Sequence, residues 1–359
     1  MTMMQHALPH KYDLVVGIDV DAKSYVITDS NHMSKKTKQF LKMPAKPENL
    51  YNHYQKLYPN HKVLYAYEAG PTGYHLHDEL HKMGQNCLLV NPASIQVARN
   101  DRVKTNRIDS KKICEQVTSG QLKGIHVPTE DYRHLRHLIS LRQRYASDQR
   151  RAKQRIGSFL LFEHIIIPEL ECERWSGKHI KNLKGLELKD VHRFKLDALL
   201  SDLEYARRQL VPINRKLRLF IKEHKHLYKD LDLLKTVPGF GFVIPIYVLA
   251  RIGSLDNLRH LGSLAGLAGL GPSEKSTGDK IHKGPITHMG DRVLRSLLVE
   301  AAWVAIRHDK SLAQTYHRIK SKHIGKGDGA KKIAIIAIAR KLTTRVYRVL
   351  KDQKPYIIQ

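Results

Sequence analysis

The chain has 359 residues, of which 62 are Lys or Arg and 34 are Asp or Glu, for a formal charge of +28. Hydrophobic residues make up 42%, enough to fill a sizeable core, which excludes a disordered basic tail. So positive a surface repels itself unless a polyanion neutralises it. Nucleic acid is therefore the leading partner, with an acidic membrane surface behind it. The longest apolar stretches, 243–250 and 333–339, fall well short of the roughly 20 residues of a membrane span, so no membrane role is expected. Residues 1–12 show no basic segment followed by an apolar run, so no signal peptide is read and the expected location is the cytoplasm. Cys87, Cys114 and Cys172 are odd in number and widely spaced, and they read as free thiols.

In chain order, 13–20 (DLVVGIDV) and 24–29 (SYVITD) read as the two strands of a hairpin, followed by a helix over 47–57. Strands at 62–68 and 85–90 flank a helix at 72–83, and Asn91-Pro92 opens a basic helical segment running to about 120. Strands alternating with helices predict an α/β sheet with crossover connections. From Pro128 the text becomes helical. Leu135, Leu138, Ile139 and Leu141 sit at helical spacing within 131–164, and a second run covers 189–227 after a looser stretch with Pro168, Trp175 and Gly177. The pair predicts an antiparallel helical hairpin, with Pro212 kinking the second arm or marking a boundary in it. The remainder is Gly-punctuated and helical. Positions 280–359 hold 18 Lys and Arg against 5 Asp and Glu, so the basic surface is concentrated toward the C-terminus. The expected domains are 1–125 (α/β), 126–229 (helical hairpin or coiled coil) and 230–359 (helical).

Three constellations bear chemistry. Asp19 and Glu68 end two apolar strands, and Asp109 lies near a helix start with Asp101 a loop step earlier. Carboxylates on adjacent strands and a nearby helix can hold Mg²⁺ ions that polarise a phosphate; the plainer alternative is solvated strand ends. Next, 234–241 (LKTVPGFG) before an apolar helix resembles a helix-hairpin-helix turn, in which Gly239 and Gly241 would open backbone N–H groups to a phosphate; the alternative is an ordinary interhelical turn. Finally, 269–295 is a Gly-rich, basic loop ahead of a helix, with Ser276 and Thr277 among Lys275, Lys280 and Lys283.

Taken in order, GIDV, YEAGPTG, VNP, KTNRIDSKK, TVPGFG, LAGLGPSEKSTGDKIHKGPITHMGDRVLRSLLVEAAW and AIARKLTTRVY resemble the bridge-RNA-guided DEDD transposases of the insertion-sequence-110 type, over nearly the whole chain. The resemblance implies a RuvC-like domain of RNase H fold with four acidic positions, a coiled-coil connection, and a C-terminal transposase domain supplying a serine nucleophile. Asp19 and Glu68 match the first two acids. The last two lie in a K-T-D-x-x-D motif, which here reads Lys104-Thr105-Asn106-Arg107-Ile108-Asp109. Asp109 matches, while Asn106 replaces the other acid with an uncharged amide ligand or leaves that place to Asp101. The i, i+3 spacing puts positions 106 and 109 on one helix face. Ser276 matches the nucleophile, with Thr277 as the fallback.

The resemblance implies that Mg²⁺ on these acids activates a DNA phosphate. The serine attacks it, leaving a transient 5′-phosphoserine and a free 3′-hydroxyl. It further implies DNA partners at the element's ends and target, a noncoding guide RNA, a dimer or tetramer and a nucleoid-associated location. Lys104, Arg107, Lys275, Lys280, Lys283, Arg292 and Arg295 are the expected nucleic-acid contacts. The competing readings are a RuvC-like nuclease whose acids activate water, and a binding protein that has lost catalysis.

Overall fold

A computed structural model describes residues 9–31, 37–96, 106–167, 172–277 and 280–358, with only the backbone described at 37–39, 275–277 and 280–283. The chain divides into two compact units, Met1–Val127 and Pro128–Gln359.

The first unit carries a five-stranded mixed sheet. Its strands are β1 (Leu14–Val20), β2 (Ser24–Asn31), β3 (Thr37–Pro44), β4 (Val63–Glu68) and β5 (Asn86–Val90), interleaved with the helices α1 (Pro47–Leu57), α2 (His75–Lys82) and α3 (Asn106–Thr118). The strand order is β3-β2-β1-β4-β5. β1 runs antiparallel to β2 and parallel to β4, and β5 is parallel to β4. β1 and β4 read as nearly unbroken apolar text because both faces are covered. Val16, Ile18, Tyr65 and Tyr67 pack with Leu50, Tyr54, Leu76 and Leu80 of α1 and α2. Val15, Leu64, Ala66 and Val90 pack on the other face with Ile113, Cys114 and Val117 of α3.

β3 was not expected. Its text, TKQFLKMP, opens with three polar residues and carries only a short alternation, Leu41 and Met43 toward the core with Phe40 and Lys42 exposed, and its place comes from antiparallel pairing along β2.

The second unit begins with α4 (Glu130–Phe162) and α6 (Asp190–Glu223), with the short α5 (Gly177–Lys184) between them. Ile156, Phe159 and Leu160 near one end of α4 cluster with Leu196, Leu200 and Leu203 near the start of α6. Leu135 and Ile139 share a cluster with Ile213 and Leu217, so the two helices run antiparallel. Helix α6 continues through Pro212 and ends at Glu223. A proline inside a helix removes one backbone bond. Pro212 faces solvent, where water satisfies the freed carbonyl, and the buried stripe on the opposite side holds the helix together.

The unit continues with α7 (Lys225–Lys235), α8 (Val243–Ile252), α9 (Ser263–Leu267), a ribbon of β6 (Pro272–Thr277) and β7 (Lys280–Ile286), then α10 (Arg292–His308), α11 (Lys310–Lys322) and α12 (Asp328–Asp352). The ribbon corrects the expected loop at 269–295. Its Gly and Pro content reads locally as a turn cluster, whereas the antiparallel pairing of the two arms makes it a two-stranded sheet.

Asp309 joins α10 to α11 and is 1% exposed. Its carboxylate accepts from the Leu312 amide at 3.0 Å and from the Tyr356 hydroxyl. Burial and this bond push the Tyr356 hydroxyl up to about 12. Asp309→Ala removes a helix cap and strands a tyrosine hydroxyl, and a denaturant melt is expected to show a loss of about 2 kcal/mol.

Cys87, Cys114 and Cys172 are free thiols. Burial pushes the Cys114 thiol up to about 12 and that of Cys87 upward as well. A thiol-reactive dye is therefore expected to label the partly exposed Cys172 in the native protein, and Cys87 and Cys114 only on unfolding.

Candidate active site

Asp19 sits near the end of β1, opposite Val26 of β2. In the parallel ladder, Gly17 pairs with Ala66 and Ile18 with Tyr67, so the next step places Asp19 beside Glu68. Side chains alternate along a strand. Asp19 therefore shares the face of Val15, and Glu68 that of Leu64 and Ala66, which is the face covered by α3. Both acids are half-buried at the carboxyl edge of the parallel pair.

Helix α3 lies close on β1 because position 17 is glycine. A Cβ there would fall 2.4 Å from the Ser110 carbonyl oxygen and 2.5 Å from the Cys114 amide nitrogen. No larger residue lets a helix backbone approach a strand so closely. Buried Ser110 and Thr28 of β2 hydrogen-bond through their hydroxyls at 2.9 Å, and Ser110 donates to the Arg107 carbonyl at 3.1 Å. Asn106 and Asp109 lie in the first turn of the same helix, Asn106 exposed and Asp109 partly buried.

The roles of Gly17, Thr28 and Ser110 are not marked by any motif in the sequence. A glycine inside an apolar strand was the available signal for the first of them. Among the described residues, no group of three or more His, Cys, Asp or Glu side chains is gathered closely enough to hold a metal ion. Asp19 and Glu68 share one face of the sheet, and Asp109 is carried by the helix packed on that face. Their donors are hard oxygens, the set that suits Mg²⁺. Asp101 and Lys104 lie outside the described residues. Arg107 is exposed, and its guanidinium lies 4.8 Å from the centre of the Phe40 ring.

In the second unit, the Pro238–Gly241 turn links α7 to α8. Gly239 has φ +84°, and a Cβ there would fall 2.5 Å from the Ala301 carbonyl oxygen of α10, so packing alone requires this glycine. Gly241 faces open space.

Ser276 pairs with Ile281 and Thr277 with Lys280 in the ribbon. The side chains of Ser276, Thr277, Lys275, Lys280 and Lys283 lie outside the described residues. The base of the ribbon is anchored by polar contacts. Arg295 donates to the Ala268 carbonyl at 2.9 Å, which gives it a structural task. Asp291 caps α10 by accepting from the Val293 and Leu294 amides at 2.8 and 2.9 Å, and it pairs with Arg251 at 2.7 Å. Tyr247, pushed up to about 12 by burial and the Asp291 carboxylate, donates to the same group. Arg292 is exposed on the first turn of α10.

Among the described residues, no helix is long and apolar enough to cross a membrane.

Residues 16–165 match a transposase model of the DEDD, IS110 type, and residues 231–318 match the model described as the transposase IS116/IS110/IS902 family. Among relatives, y4qE of Sinorhizobium fredii, a protein named for transposase activity, is 30% identical over 241 residues, which are 67% of this chain and 58% of that protein. The match thus spans little more than half of that relative's length. The transposase for insertion sequence element IS1533 of Leptospira borgpetersenii is 23% identical over 362 residues, covering 96% of this chain and 98% of its own. The pilin gene-inverting protein of Moraxella bovis is 29% identical over 199 residues, 47% of this chain and 60% of that one. The two models describe one class of DNA-mobilising protein and take in the acid-bearing edge of the first unit and the α7–α8 turn and ribbon of the second. The chain belongs to the IS110 family of transposases.

Proposed function

We propose that this chain is the DNA transposase or recombinase of an insertion sequence, with a RuvC-like first unit of RNase H fold. The observation that supports the reading is that Asp19 and Glu68 lie near the ends of neighbouring parallel strands β1 and β4, while Asp109 lies in the first turn of α3, which packs on the same sheet. The mixed strand order and family membership support it. A relative named for inverting a pilin gene supports strand cutting coupled to rejoining.

Asp19, Glu68 and Asp109 would hold a divalent ion, Mg²⁺ by donor chemistry, with the Asn106 amide oxygen or Asp101 completing the set; the ion supplies charge to polarise a scissile phosphate. Ser276 is the proposed nucleophile and Thr277 the fallback. The serine oxygen forms a bond to phosphorus, the bond from phosphorus to the 3′ oxygen breaks, and that oxygen leaves as a 3′-hydroxyl. The 5′ end stays on the protein as a phosphoserine. Exposed cations, Arg292 among them, hold the phosphate backbone through charge. That mode of binding leaves sequence readout to a pairing nucleic acid, here a noncoding guide RNA. The α4–α6 hairpin is assigned to assembly of a dimer or tetramer, and the site of action to the nucleoid in the cytoplasm.

A denaturing gel with labelled element-end DNA, guide RNA and Mg²⁺ tests the mechanism. The wild type is expected to give a covalent protein-DNA adduct and Ser276→Ala none. Cleavage without an adduct would make the chain a nuclease, and binding without cleavage an inactive binder.

A further inference from the structure

A groove in the second unit, formed by the end of α6, by α7 and by the residue before α8, combines features not used by the proposed chemistry. Its volume is about 470 Å³. The floor is apolar, made by Ile221 and Leu231, which are 2% and 3% exposed. Tyr228 and Phe242 supply aromatic walls, with Tyr228 51% exposed. Four exposed cations, Arg218, Lys222, Lys225 and Lys235, line the rest, and no Asp or Glu joins them. The guanidinium of Arg218 lies 4.9 Å from the centre of the Phe242 ring, so a planar cation and an aromatic ring form a joint platform.

These cations differ from those of the helical hairpin. There, exposed Arg155 and Lys184 are matched by Asp202 at 3.6 Å and Glu204 at 2.6 Å. Among the described residues, the four groove cations have no such carboxylate. Arg218 and Lys222 are four residues apart on α6 and share one face of it, and Lys225, at the start of α7 just past the break, lines the same groove. Concentrated positive charge without internal neutralisation calls for an external polyanion.

The apolar floor and aromatic walls narrow the choice. A duplex keeps its bases stacked on each other and would leave the floor and rings unused. An unpaired strand offers base faces to the rings and phosphates to the cations. We propose that this groove binds single-stranded DNA, seating an unpaired base against Tyr228 and the Arg218–Phe242 platform while Lys222, Lys225 and Lys235 hold the flanking phosphates. The proposal rests on the reading of the chain as a DNA recombinase, in which strand cutting and exchange produce such a segment.

The test uses the full-length chain and a fluorescein-labelled oligothymidylate containing one iododeoxyuridine. Photocrosslinking is expected to attach the oligomer to the peptide carrying Tyr228 or Phe242. The triple change Lys222→Gln, Lys225→Gln and Lys235→Gln should reduce the salt slope of binding by about 2, at roughly 0.7 per phosphate contact on a single strand. Tyr228→Ala combined with Phe242→Leu, which keeps apolar bulk over the core, should weaken binding about tenfold with little change in slope. Circular dichroism melts verify that both variants fold.

Crosslinks confined to other surfaces, or wild-type binding by both folded variants, would overturn the proposal. So would tighter binding of the matching ribo-oligomer at this groove, which would assign it to RNA, or equal dependence of a blunt duplex on the two rings. The adduct gel separates the two levels. A chain that forms the adduct without crosslinking at the groove defeats the groove alone, whereas groove crosslinks in a chain that never cleaves defeat the recombinase reading.

Discussion

Asp19→Ala is expected to lower strand cleavage by about a thousandfold or more while nucleic-acid binding persists. Asp19 and Glu68 each follow the Ile18–Tyr67 pair that ends the parallel ladder of β1 and β4, a ladder of backbone bonds that the substitution does not touch. The fold should therefore survive the change, and the loss should fall on the chemistry. Removing a ligand that positions charge against a developing phosphate transition state forfeits several kcal/mol, and each 1.36 kcal/mol is about tenfold in rate. Binding should not suffer, because the chain carries a formal +28 and losing one carboxylate makes it more cationic.

Single-turnover cleavage, filter binding and a thermal melt with and without Mg²⁺ would measure the three parts. An ion bound by the folded state raises its melting temperature, so the wild type should show a Mg²⁺-dependent rise that the variant lacks. Cleavage within a few-fold of wild type would remove Asp19 from the site.

Gly17→Val should cost about 3 kcal/mol or more and also disable cleavage. The new Cβ would meet the Ser110 carbonyl oxygen at 2.4 Å, the Cys114 amide nitrogen at 2.5 Å and the Cys114 Cβ at 2.7 Å. Two of these are backbone atoms and the third is fixed to the backbone, so no rotamer relieves the contact. Helix α3 has to move off β1, breaking the Thr28–Ser110 bond and displacing Asp109, a proposed ligand, with it. A displacement of about 1 Å at such a site can cost about a hundredfold in rate. The melting temperature should fall by about 10 °C, and Gly17→Ala should show the same effects in weaker form because it adds the same first atom. An unchanged melting temperature would mean that α3 does not pack on β1 through this glycine.

Much of the fold was legible in the chain. Four of the five strands of the sheet and helices α1, α2, α4 and α6 were marked by short apolar runs or helical spacing, signals carried by neighbouring residues. The acids at 19 and 68 stood out because carboxylates end two apolar strands, and positions 106 and 109 because of their i, i+3 step. β3 was not legible, since its text, polar at the start and with only a short alternation, acquires strand structure only by pairing with β2. The ribbon at 272–286 was hidden for a related reason: its Gly and Pro residues signal a turn, and the cross-strand bonds that override that signal join residues on opposite arms. The continuous path of α6 through Pro212 likewise depends on which face of the helix meets solvent.

By itself, then, the amino-acid sequence determined the strongly basic character, the family, the main helices and strands and the identity of the candidate acids, because composition, periodicity and motif order are local or additive properties. The tertiary structure alone decided that α3 sits directly on Gly17, that Gly239 serves packing against α10, that Arg295 anchors the ribbon, and that Arg218, Lys222, Lys225 and Lys235 converge with two aromatic rings. Each of these is a contact between segments separated along the chain, set by the packing of whole elements, and no property of neighbouring residues encodes it.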